Sequence, residues 1–195
     1  SQEEILRRYY AERCRYRRGR SDGGAVYKIE LLMKQLGLTE QDRAVVGPAL
    51  AVAERTGAPA AAMELPDGKV LTGKTSALLG SSSALLLNAL KYLAGIPDDV
   101  HLISPAVIEP VQDMKVNVLG NKNPLLHIDE LLVALSISAV TNPNAKKAVL
   151  QLQKLRGCEV HTTVILSEAD EDSFRRLGVR LTSEPKYQTT KLYHG

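Results

Sequence analysis

The stretch "PAAAMELPDGKVLT", residues 59–72, constrains the fold more than any other part of the chain. Two short β-forming runs flank Pro66-Asp67-Gly68, where Pro presets one turn angle and Gly accepts positive φ. The spacing predicts a strand over 59–65, a turn over 66–68 and a returning strand over 69–72. A lone hairpin is marginal in water and needs a covering layer. The residues that follow supply one. "SALLLNALKYLAG" (83–95) reads as a helix, "VHLIS" (100–104) as a short buried strand, and 105–118 as a helix running to Gly120. After the polar loop "GNKNP" (120–124), residues 128–141 form a nearly all-round apolar helix, expected to be central. Asn142-Pro143 ends it and starts the next, 143–155. "CEVHTTVIL" (158–166) reads as a strand. "SEAD" (167–170) is a capping box for a helix to Leu177, with Gly178 as its stop. "VRLTS" (179–183) is the last strand.

The chain before the hairpin has a different character. Residues 2–18 read as an amphipathic helix with Ile5, Tyr9 and Tyr16 on one face. A second helix spans 24–36. A third spans 40–56, with Thr39 as N-cap, Asp42 three residues on and Pro48 as a kink or split. The expectation is an α/β fold: a layered α/β/α sandwich domain over 58–195, preceded by a small all-helical subdomain over 1–57. Aromatic residues are only 4% of the 195 and Trp is absent, so the core must be aliphatic.

Charge and cysteines bound the function classes. Residues 1–20 carry seven Arg and three Glu, while the whole chain is only +3, so the remainder is near neutral. The Arg-rich helix could meet nucleic acid, but basic runs are common on solvated helix faces, and nucleic acid is not the expected partner. Cys14 and Cys158 are far apart and fit a reduced, cytoplasmic setting. No run is long and apolar enough for a transmembrane helix, and no membrane partner is expected. The chain opens at Ser1 directly in a helical pattern, which reads as part of something longer.

"GKVLTGKT", Gly68 to Thr75, fits the phosphate-binding pattern G-x-x-x-x-G-K-[ST]. That loop requires a strand ending at the first Gly and a helix starting at Lys-Thr. Here the first Gly belongs to a hairpin turn and the intervening residues are β-formers. The hairpin reading is preferred, and no cofactor is assigned.

"MELPDGKVLTGKTS", "LNALKYLAGIPDDVHLISP", "LGNKNPLLHIDELLVALSISAVTNP", "LRGCEVHTTVILSEAD" and the closing "KLYHG" resemble the C-terminal portion of the bacterial domain-of-unknown-function family 1846. The resemblance covers essentially the whole chain. It implies that a further N-terminal portion of the same protein is a partner. Some members carry the name "ATP-dependent zinc protease", but His101, His127, His161 and His194 never form H-E-x-x-H. In fold, the order hairpin, helix, strand, Ser-Pro, helix is similar to the cytidine-deaminase-like layout. That resemblance implies zinc ligands where Ser81 to Ser83, Ala106 and Glu109 stand, so no metal is expected.

Candidate residues remain. Ser81, Ser82 and Ser83 open a helix and can offer N–H groups to an anion, or simply cap it. Ser104 is expected past the carboxyl end of a strand, where ligands of open α/β sheets bind. Asn121, Lys122 and Asn123 form a polar loop. Lys74, Thr75, Ser81, Ser82, Ser83, Ser104 and Lys122 are together the candidate anion-binding set. His161 reads as a satisfied sheet histidine and Cys158 as a buried thiol. The leading expectation is a non-catalytic scaffold, oligomerisation or ligand-sensing domain, with a homo-oligomer possible through the apolar helix 128–141. The alternative is the phosphate- or nucleotide-binding part of an enzyme completed by the N-terminal portion. A second alternative is nucleic-acid binding through Arg13, Arg17 and Arg18.

Overall fold

A computed structural model describes residues 1–188. "KLYHG" and His194 lie outside the described residues. Four strands, β1 (Ala60–Glu64), β2 (Val70–Lys74), β3 (Glu159–Thr162) and β4 (Arg180–Ser183), form one sheet in the order β2-β1-β3-β4. β1 is antiparallel to both neighbours, and β3 and β4 are parallel. The hairpin forms as its turn chemistry dictates. Leu65 N–H donates to Lys69 O at 2.8 Å and Gly68 N–H to Leu65 O at 2.9 Å, with Gly68 at φ +86°.

β1 is buried on both faces, and its Ala60-Ala61-Ala62 run lets helices approach closely from both sides. On one side α3 (Val46–Thr56) sets Val45 and Ala49 against Ala62. Beside it, α1 (Gln2–Arg17) lies over β4 and packs with α2 (Gly24–Leu36) through Leu6, Tyr10, Ile29 and Met33. On the other side lies the main aliphatic core. It joins Met63 and Val160 of the sheet to α4 (Ser81–Ala94), α5 (Pro105–Asp113), α6 (Ile128–Ser138), α7 (Pro143–Val149) and α8 (Glu168–Leu177). The result is an α/β layered fold around a four-stranded mixed sheet, preceded by helices. Gly73 shows how tightly the layers meet. A Cβ there would lie 2.4 Å from Leu85 N and 2.5 Å from Ser81 O, so the second glycine of "GKVLTGKT" admits α4 rather than a phosphate.

Several elements differ from expectation for identifiable reasons. The helix expected over 40–56 is a 3-10 turn, Glu40–Asp42, followed by α3. Pro48 falls in the first turn of α3, where its missing N–H costs nothing. Residues 100–104 are not a strand. Leu102 and Ile103 are buried, but as an irregular plug between Pro97 and Pro105 with no strand beside it. The hairpin-helix-strand-helix order of the deaminase-like layout is therefore not seen at this step. The helix expected over 105–118 becomes a π turn at Met114–Val118, after Pro110 withdraws one donor from the ladder. α6 is not buried all round: Leu131, Ala134 and Leu135 face the core, whereas Val133 and Ile137 are exposed.

Candidate anion-binding site

Strand direction brings four chain segments to one end of the sheet. β2 and β3 end there, β4 runs parallel to β3, and β1 begins there. This is the carboxyl-end position at which open α/β sheets bind ligands. A cavity of about 160 Å³ opens at this end, between the N-termini of α4, α6 and α8. The first N–H groups of a helix have no partner within it and carry the positive end of the dipole. Three such ends meet at one cavity, with the Asp170 carboxylate also on its wall.

Each helix end is finished differently. At α4 the N-cap is Gly80, with no side-chain cap. Ser81, Ser82 and Ser83 follow, all buried. Ser83 Oγ donates to Leu126 O at 2.9 Å, tying α4 to the segment before α6. Ser82 is 4% exposed, and its Oγ has no hydrogen-bond partner among the described residues. At α6, Glu130 accepts from His127 N–H at 2.9 Å. Glu130 also pairs at 2.8 Å with the buried Lys115 Nζ, which donates to Leu125 O at 2.7 Å. At α8, Ser167 Oγ accepts from Asp170 N–H at 3.2 Å. The Asp170 carboxylate does not return to Ser167 as a full capping box would. It crosses to α6, accepting from Ile128 N–H at 2.9 Å and meeting His127 Nδ1 at 3.3 Å. That bond raises the His127 pKa above its ordinary value, against the opposing pull of burial. With Nδ1 held by Asp170, Nε2 has no partner among the described residues.

The structure brings Thr75, Ser81, Ser82 and Ser83 together on the cavity wall. Thr75 Oγ1 donates to Pro59 O at 2.7 Å. Lys74 is exposed at the end of β2, outside the lining. Lys122 is exposed, while its neighbour Asn123 lines the cavity and accepts from Leu125 N–H at 2.9 Å. Ser104 caps α5 by accepting from Ala106 N–H at 3.2 Å and lies outside the lining, since the strand that was to carry it is not formed. Sequence reasoning missed His127 and Asp170. Among the described residues, no group of three or more His, Cys, Asp or Glu is placed to hold a metal.

The other singled-out residues are engaged elsewhere. His161 is fully buried, with Nδ1 2.7 Å from Thr182 Oγ1 and Nε2 2.6 Å from Glu184 Oε2. Burial holds its pKa below the usual range. Burial also pushes the Cys14 thiol up to about 11 and raises Cys158. Along α1, Arg7 pairs with Glu159 at 2.6 Å and Arg13 with Glu40 at 3.1 Å. Arg18 pairs with Glu171 at 2.6 Å, and Arg17 lies over the Tyr187 ring at 4.7 Å. No helix among the described residues is long and apolar enough to cross a membrane.

Comparison with known proteins places this architecture. A UPF0371 protein of Corynebacterium urealyticum is 52% identical over 193 residues, which is 99% of this chain and 39% of that protein. One of Corynebacterium diphtheriae is also 52% identical, and one of Streptococcus thermophilus 48%, over the same shares. The chain thus spans about two fifths of the length of these relatives. Residues 41–193 match the family described as "Domain of unknown function DUF1846, C-terminal". The chain belongs to that family, as its C-terminal domain.

Proposed function

We propose that the cavity between the N-termini of α4, α6 and α8 binds a phosphate group, and that the chain is a ligand-binding module. The observation that carries this reading is Ser82. A buried hydroxyl without a partner is costly, and such groups call for a functional account. Here it lines a cavity bounded by three helix ends, and a phosphate oxygen would satisfy it. The Asp170 carboxylate opposes an anion. Its oxygens are occupied by His127 Nδ1 and Ile128 N–H, and the bond to Asp170 raises the His127 pKa, which favours the charged imidazole beside it. Within a longer protein, the same pocket would serve a ligand sensor or the phosphate subsite of an enzyme.

Calorimetric titration with inorganic phosphate tests the reading, using this chain and Ser82→Ala. A hydrogen bond to a charged group is worth about 1.5–3 kcal/mol, so the variant should bind at least about tenfold more weakly. Absence of phosphate binding, or equal affinity in the variant, would contradict it.

A second reading concerns association. Val133 and Ile137, one turn apart on α6, are exposed at 61% and 62%, and Val140, just past its end, at 82%. We infer that a second copy of the chain covers these residues. Mass that rises with concentration, and no longer rises in Val133→Lys/Ile137→Lys, is the expected result.

A further inference from the structure

A larger cavity, of about 700 Å³, lies beside the first, and Pro59 and Val164 form part of both walls. Its volume falls in the range of small-molecule sites, roughly 300–1,000 Å³, whereas the serine-lined cavity has room for little more than a phosphate. We propose that the two cavities form one bipartite site for a nucleoside monophosphate. This rests on the phosphate reading above: the phosphate sits among Ser81 to Ser83 and the nucleoside extends past Pro59 and Val164 into the larger cavity.

The lining argues for the class of body. Leu50, Ala53 and Pro185 supply an apolar wall fit for the face of a base. Charges of both signs stand beside it. Arg13 and Lys186 are the cations, Arg13 held by Glu40 at 3.1 Å, and Glu54 and Glu184 are the anions, Glu184 held at 2.6 Å by His161. A second phosphate would meet the Glu184 carboxylate. A neutral body bearing hydroxyls meets an acceptor there instead, and a ribose is such a body. Two cations and two carboxylates leave the larger cavity without net charge, which suits a neutral nucleoside rather than a polyphosphate.

The test measures inorganic phosphate, AMP and ATP by calorimetry on this chain and on Ala53→Trp, which fills the larger cavity from α3. The expected result is AMP binding at least tenfold more tightly than phosphate or ATP. Ala53→Trp should reduce AMP to the affinity of phosphate while leaving phosphate unchanged. Should Ala53→Trp fail to fold, Pro185→Phe enters the same cavity and carries the same expectation. If phosphate binds with Ser82 dependence but AMP binds no tighter, the bipartite site is overturned and the phosphate reading stands. AMP affinity that survives a filled cavity overturns it too. If phosphate does not bind at all, both fall.

Discussion

The sheet carries two polar regions built from similar residue types, and they differ in saturation. On the α1/α3 face, Arg43 is fully buried, and all of its donor nitrogens are engaged. Nε donates to Thr182 Oγ1 at 2.8 Å, and Nη1 to Glu3 and Glu159 at 3.0 and 2.7 Å. Nη2 donates to Val160 O and Arg180 O at 2.9 and 3.1 Å. His161 beside it has both ring nitrogens engaged. Among the described residues on this side, the exceptions are the Tyr10 hydroxyl, whose ring meets His161 edge-on at 4.8 Å, and the Ser21 hydroxyl between α1 and α2. At the carboxyl end, by contrast, the buried Ser82 Oγ lacks a partner among the described residues, directly on a cavity wall, and the α4 end has no side-chain cap. A saturated network holds a fold together, whereas an unpartnered hydroxyl on a cavity wall calls for the account that the proposed phosphate gives it.

The largest effect should come from the saturated side. Arg43→Ala strips the Val160 and Arg180 carbonyls of a donor, although Glu159 keeps Arg7 at 2.6 Å; each buried group left short of a partner costs about 1–3 kcal/mol, and several are lost together. Chemical denaturation should show that loss, with phosphate affinity unchanged wherever the variant is folded. A comparable loss of affinity would mean that the two regions are not separate.

Gly73→Ala should come next. Its new Cβ meets the backbone of Ser81 and Leu85 and must push α4 off β2. Overpacking of this kind costs about 1–3 kcal/mol. Because Ser81 to Ser83 move with α4, phosphate affinity should fall as well. Unchanged affinity would detach the cavity from the helix end.

Ser82→Ala should behave in the opposite way to Arg43→Ala. Removing an unpartnered hydroxyl should leave stability within about 0.5 kcal/mol, as for a change that breaks no native contact. Only binding should suffer.

The smallest effects are those of pH, and the two histidines should differ in sign. His127 has a raised folded pKa because of its bond to Asp170. Its contribution is fully present below its unfolded pKa of about 6.5 and is lost as pH rises through the folded value. His161 has a lowered folded pKa because of burial. Its contribution is present above about pH 6.5 and is lost as pH falls through the folded value. Stability measured across pH 5–8 for His127→Gln and His161→Gln should lose slopes of opposite sign. Slopes of the same sign would contradict the assigned environments.

What the sequence made legible was local. Pro66-Asp67-Gly68 sets the hairpin by its own torsions, Gly178 stops α8 and Asn142-Pro143 opens α7 as read, although α6 already ends at Ser138 and α7 at Val149 rather than at 155. Residues 100–104 show where that reading stops. Apolarity reported burial correctly for Leu102 and Ile103, but no pattern within five residues says whether a strand will stand alongside. Half of the site was legible in the same local sense, since serines opening a helix mark a helix end. The other half depends on the packing of α6 against α8. His127 and Asp170 are 43 residues apart and meet only across that interface. The "SEAD" signal also pointed Asp170 toward its own helix, while the structure turns it to the neighbouring one. Arg43, the most heavily bonded side chain on the opposite face, gave no sequence sign because its partners come from α1, β3 and β4.

The most direct measurement is the map of backbone amide shifts on adding inorganic phosphate to the ¹⁵N-labelled chain. The account predicts saturable changes concentrated at Ser81 to Ser83, at His127 and Ile128, and at Glu168 to Asp170, with Arg43 and His161 unmoved. No saturable change at those three helix ends, or changes centred on the arginines of α1, would contradict it.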